Sequence, residues 1–185
     1  MTTGHALALL FAAGWLPVLR LRAETWGSAL PEYEPGERAW VVASFVILTA
    51  HFTLGCLATT AMAQIPLWRA AASAAVFIGG MCVWLWGRAS IGPLGRRRVP
   101  SEAPSEFRRD GAFAVVRNPM YLGTLLASGG PLVAAPKPSL FLGFVLCGIA
   151  LSMRAIQDER RLHRQLGPIY EQYCREVKRL IPFIW

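Results

Sequence analysis

The chain has 185 residues, of which 54% are hydrophobic and only 16% charged, with a mean hydropathy of +0.39. A soluble domain carries about 25% charged residues, so this composition excludes an ordinary water-soluble globule and leaves no room for a separate soluble domain. The net charge of +8 raises nucleic acid as a partner, but the basic residues are sorted by loop, the mark of membrane topology.

Five apolar stretches approach the roughly 20 residues that a helix needs to cross a bilayer. They run from Ala6 to Leu19, Trp40 to Ala63, Trp68 to Trp86, Pro119 to Ala135 and Ser139 to Met153. No Lys or Arg precedes the first and no good cleavage site follows it, so it reads as a retained span rather than a signal peptide. Residues 24–37, acidic and punctuated by Pro and Gly, read as a loop. From Arg38 to Ser101 there is no Asp or Glu, as expected for two packed spans and a short turn. Small residues crowd the third stretch at Ala70 to Ala75, Gly79 and Gly80, which suits close helix approach. Residues 87–113 read as a loop, with Gly92-Pro93, Gly95, Pro100, Pro104 and an Asp110-Gly111 turn. The fourth stretch carries Gly129-Gly130-Pro131, which predicts a broken or partly re-entrant hairpin. Beyond Met153 the pattern turns amphipathic, with Ile156, Leu162 and Leu166 among charges. Gly167-Pro168 ends that helix, and Ile169, Tyr170, Tyr173 and Val177 mark a second short one. The closing LIPFIW reads as an aromatic interfacial anchor.

Of the 19 basic residues, only Arg69 and Lys137 fall in the two loops 64–69 and 136–138. If five spans alternate, all the others lie on the opposite side. This places the N-terminus outside and the third loop and tail in the cytoplasm, where basic charge also meets anionic headgroups. Cys56, Cys82, Cys147 and Cys174 show no paired spacing, and three lie in apolar stretches. Neither a disulfide framework nor a metal site is expected. The expectation is an all-α polytopic membrane bundle of about five transmembrane helices with a cytoplasmic amphipathic helical tail. It forms one membrane domain over 1–185, with three spans in 1–90 and a loop, helical hairpin and tail in 91–185.

Two charged clusters stand at the ends of apolar segments, where polar groups are functional candidates by default. In Arg117-Asn118-Pro119-Met120-Tyr121, Asn and Pro suit the N-cap and first position of a helix, and that alone accounts for the pair. The functional reading is that a helix start beside Arg117 binds carboxylates or phosphates, with the Tyr121 phenol at the same mouth. Asp158 and Glu159 extend the fifth stretch one turn after Arg154. Either Arg154 and Asp158 form a weak i,i+4 pair, or the two carboxylates hold an ammonium or sulfonium close to the membrane. His51, deep in the second stretch, reads more readily as a helix-to-helix hydrogen bond than as chemistry. Trp84, Trp86, Phe113, Tyr170 and Tyr173 read singly as belt residues, and together as a cation box.

Taken together the clusters resemble the membrane methyltransferase superfamily of isoprenylcysteine carboxyl methyltransferase and the phospholipid N-methyltransferases. The matching residues are Gly111-Ala112-Phe113, Arg117-Asn118-Pro119-Met120-Tyr121, Asp158-Glu159, Leu162, Leu166-Gly167, Tyr170, Tyr173, Val177 and Pro182. They cover about the last 75 residues. Asn118 stands where the family carries His, which keeps a hydrogen-bonding side chain and removes a titratable one. Phe113 stands where Tyr is common, and Asp158 shortens the first acid. The resemblance implies S-adenosylmethionine bound at the cytoplasmic face between the fourth and fifth spans and the tail. Arg117 with Asn118 at the helix start would take the methionine carboxylate, and Glu159 with Asp158 the amino group. Backbone near Gly111, with Phe113, Tyr121, Tyr170 and Tyr173, would enclose the remainder. Arg154, with Tyr121 beside the reacting atoms, would orient an acidic or polar acceptor.

The partners that follow are the bilayer and a lipid-like or apolar small molecule, with no nucleic acid and no metal. The membrane is the inner or plasma membrane of a prokaryote or an endomembrane of a eukaryote. A competing reading is a sterol-reductase-type enzyme using a nicotinamide cofactor, to which Gly167, Tyr170, Tyr173-Cys174, Val177, Pro182 and Phe183 are similar. A non-enzymatic scaffold or transporter is the third. The lack of carboxylates in the first three spans speaks against a cation-coupled carrier. Acceptor identity, whether carboxylate, amine or thiol, is not written in these motifs.

Overall fold

A computed structural model describes residues 2–29, 35–62, 64–91 and 109–181. Among these described residues six α-helices follow one another: α1 (Thr3–Ala29), α2 (Pro35–Thr60), α3 (Leu67–Ile91), α4 (Pro119–Ala134), α5 (Pro138–Leu166) and α6 (Pro168–Glu176). One 3-10 turn, Gly111–Ala114, precedes α4, and among the described residues there is no strand. Gly36–Thr60, Leu67–Ile91 and Pro138–Leu166 are long and apolar enough to cross a membrane. Their outer faces carry exposed large apolar side chains such as Val46, Leu57, Ile78, Leu85, Phe141 and Ile149, a distribution suited to lipid rather than water.

Two expectations from the sequence are corrected. The acidic loop is shorter than 24–37, because α1 stays helical to Ala29 and α2 begins at Pro35. Pro35 can open a helix because the first turn's amides need no partner within it, and Glu24 to Ala29 contains no proline to stop one. The second correction concerns Gly129-Gly130-Pro131, where α4 runs through unbroken. Ser73 Oγ donates to the Gly130 carbonyl at 2.8 Å, and His51 Nε2 lies 2.8 Å from the Ser128 carbonyl. Neighbouring helices thus hold the turn around the proline, as buried polar backbone in a bundle requires.

α3 and α4 form the most extensive helix pair. A Cβ at Gly80 would collide with the Ala127 amide and one at Gly123 with the Trp84 amide, so these two backbones touch directly. Phe11, Phe52, Phe77 and Trp15 fill the centre of the bundle. α5, at 29 residues, is about 43 Å long. It is therefore longer than a hydrocarbon core of about 30 Å is thick, and Arg154, Asp158 and Glu159 lie in its C-terminal half. Gly167, at φ 53°, ends α5 and starts the short α6. The segments 92–108 and Pro182 to Trp185, including Pro182 and Phe183 of the closing motif, lie outside the described residues.

Candidate functional site

Glu159 is the centre of the charged cluster, and it is 4% exposed. Asn118 Nδ2 donates to Oε1 at 3.1 Å, and Arg179 Nε donates to Oε2 at 2.9 Å. Arg117 Nε lies 3.2 Å from Oε1, but its N–H is not aligned for a hydrogen bond, so the contact is a close ion pair. Arg117 Nη1 also donates to the Cys174 carbonyl at 3.4 Å. A carboxylate buried this far must have such partners, since an uncompensated buried charge is prohibitive.

The tail reaches this cluster by backbone pairing. Val116 and Lys178 form a single parallel bridge, and the Arg117 and Asn118 amides donate to the Lys178 and Arg179 carbonyls at 2.8 and 3.1 Å. Asn118 stands at the N-cap of α4, yet its side chain caps nothing. It turns instead to Glu159 and to the Arg179 carbonyl, at 3.2 Å from the latter. Asn118 and Pro119 thus start α4 as its N-cap and first helical residue, although the Asn118 side chain makes no capping hydrogen bond.

Asp158 belongs to a different cell. Successive helical residues point about 100° apart, so Asp158 faces the bundle and accepts a hydrogen bond from the Tyr121 hydroxyl. Arg154 Nη2 lies 3.5 Å from Asp158 Oδ1 and 3.4 Å from the Tyr121 oxygen. Asp158 thus meets Tyr121 and Arg154, while Glu159 meets Asn118, Arg117 and Arg179. Arg154 is 3% exposed, so it does not snorkel out to headgroups.

The aromatic residues close the same end of the bundle. Tyr173 donates its hydroxyl to the Phe113 carbonyl at 2.6 Å, tying α6 to the 3-10 turn. Tyr170, 1% exposed, packs 5.9 Å from Tyr173 and takes the edge of His163 at 4.8 Å. Burial pushes both phenols well above their ordinary range, and the Glu159 charge adds to the effect. Both therefore stay protonated donors at physiological pH. Burial likewise raises the Cys174 thiol, with Arg117 opposing it. Gly111, at φ 60°, admits Ser90, whose hydroxyl takes the Ala112 amide at 3.1 Å.

The residues of the two charged clusters thus gather at one end of α4 and α5, with Phe113, Tyr170 and Tyr173 near them, whereas His51 lies farther along the bundle against Ser128 and Trp86 is exposed. Sequence reasoning missed Arg179 and Ser90. No local signal marks either, because each acts on a residue distant in the chain. Comparison with protein-family models, with curated proteins and with solved structures finds no match to this chain.

Proposed function

We propose that the chain is an integral-membrane methyltransferase that uses S-adenosylmethionine on a lipid-like or apolar acceptor. The observation that carries this reading is the buried Glu159–Arg117 ion pair beside the Tyr121–Asp158–Arg154 cell. Two opposite charges held at 5% and 10% side-chain exposure match the ammonium and carboxylate of an amino-acid zwitterion. Inserting that zwitterion exchanges one internal pair for two to the ligand, at little net electrostatic loss. S-adenosylmethionine, when bound, supplies a sulfonium methyl for in-line displacement. The chain's own part is positioning and exclusion of water. Glu159 and Arg117 orient the amino-acid end, the 3-10 turn and α6 cover it, and Arg154 holds the acceptor's polar head.

The proposed topology has five crossings with the N-terminus outside and the site and tail in the cytoplasm. It rests on the sorting of basic residues and on five helices in series. α4, at 16 residues, is about 24 Å long and is the shortest of them.

Glu159→Ala is a poor test, since it strips Arg117, Asn118 and Arg179 of their shared acceptor and unfolding would confuse the result. Glu159→Gln keeps the shape and removes the charge. Calorimetry on the full chain in detergent should show S-adenosylmethionine affinity lowered more than tenfold, for the loss of a charged hydrogen bond of roughly 1.5–3 kcal/mol. Arg117→Lys should also weaken binding, through loss of the planar fork. Wild-type affinity in both variants would remove the site, and binding of NADPH in place of S-adenosylmethionine would favour the reductase reading.

A further inference from the structure

Three side chains share the Glu159 carboxylate, and they are not equally committed to it. Asn118 Nδ2 and Arg117 Nε lie at Oε1, at 3.1 and 3.2 Å, and the Arg117 side chain is only 10% exposed. Oε2 is held from the tail, by Arg179 Nε at 2.9 Å, and the Arg179 side chain is 26% exposed. Of the two cations Arg179 is therefore the one nearer water, where its guanidinium is readily hydrated. An ion pair that solvent reaches is weaker than a fully buried one, because it is already screened.

The backbone of the same residue is fixed by separate contacts. The Arg179 carbonyl accepts from the Asn118 amide at 3.1 Å and from Asn118 Nδ2 at 3.2 Å. Leu180, the next residue, is 2% exposed and belongs to the main apolar core. The Arg179 side chain can thus swing off Oε2 while the tail stays in place. Glu159 would keep Arg117 and Asn118, so it would not become the uncompensated buried charge that destabilises a fold most.

A ligand ammonium needs a Glu159 oxygen. Oε1 already faces Asn118 and Arg117, both anchored at the start of α4, so the competition falls on Oε2. We infer that Arg179 is a built-in competitor of the ligand's ammonium group, which holds Glu159 Oε2 and is displaced when an amino-acid end binds. The inference rests on the function proposed above and adds an autoinhibitory contact to that site. Arg179 lies outside the residues on which the family resemblance rests. It gives the tail control over the ligand concentration at which the site fills, without any movement of the tail backbone.

The test is calorimetry on the purified full chain in dodecylmaltoside at neutral pH, with S-adenosylmethionine and S-adenosylhomocysteine as probes. Both carry the amino-acid zwitterion, and only the first carries the sulfonium charge. Arg179→Met keeps much of the apolar stem and removes the cation. It should raise affinity for both probes by the same factor, about threefold to tenfold, between the worth of an exposed ion pair and that of a charged hydrogen bond. Arg179→Lys retains a competing cation and should stay near the wild-type value. Without ligand, Tm of Arg179→Met should be at or below that of the wild type, since a native contact is lost. A merely structural role predicts the opposite sign, with lower Tm and lower affinity together. Unchanged or weakened binding in Arg179→Met would overturn the inference and leave the cofactor site standing. A gain confined to S-adenosylmethionine would also overturn it, because that marks general repulsion of a cationic ligand rather than competition for Glu159. Failure of wild type and variant alike to bind either probe would remove the cofactor reading and this inference with it.

Discussion

Glu159 and Asp158 are adjacent in sequence and live in different electrostatic worlds. The first is enclosed by two hydrogen-bond donors, Asn118 and Arg179, and by the Arg117 guanidinium, from two distant segments. The second keeps 30% of its side chain exposed and answers to Tyr121 and Arg154. This division separates the two roles proposed for the site, cofactor recognition on the Glu159 side and acceptor recognition on the Arg154 side. Arg154→Ala should therefore leave S-adenosylmethionine affinity nearly intact and lower turnover strongly. Arg154→Lys should restore only part, since an ammonium cannot reproduce the guanidinium fork. Labelled methyl donor with membrane extract measures the turnover, and calorimetry the affinity. Normal turnover in Arg154→Ala would reduce the residue to a structural partner of Asp158.

At the level of elements, the site is placed by a rigid helix pair and by a returning tail. α3 and α4 approach so closely at Gly80 and Gly123 that a single methyl has nowhere to go. Gly123→Ala should force the backbones apart and destabilise the bundle by about 1–3 kcal/mol, the usual effect of overpacking. Gly79→Ala is the matched control, because a Cβ there meets nothing within 4 Å. Thermal unfolding of both variants in detergent measures the difference, and equal Tm values would show that the contact yields without strain. The tail contributes through backbone bonds at Lys178 and Arg179, so its position depends on Gly167 turning the chain between α5 and α6.

For the whole molecule, the proposed five-crossing arrangement makes a prediction about sidedness. Single cysteines introduced at Arg97 and Lys178, in a chain otherwise free of cysteine, should react with a membrane-impermeant maleimide only from the cytoplasmic side. Labelling of both from the outer face would overturn the orientation. The same orientation sets the Arg154 cell at the cytoplasmic end of α5, where an acceptor's head meets a cation while its chain stays in lipid. Drawing that chain into water would be unfavourable by about 0.8 kcal/mol per CH₂.

Much of the fold was legible without coordinates because it depends on local pattern. Apolar runs mark α2, α3 and α5, Gly167-Pro168 marks the break before α6, and the scarcity of charge marks a lipid-facing protein. The gathering of Arg117, Asn118, Tyr121, Asp158 and Glu159 was legible only through a family likeness, not through spacing. Tertiary structure alone decided how those residues pair. Rotation about the α5 axis sends Asp158 and Glu159 to different neighbours. The return of the tail brings Arg179 to Glu159. Periodicity along a chain says which face of a helix is buried. It does not say against what, because that depends on contacts between segments dozens of residues apart.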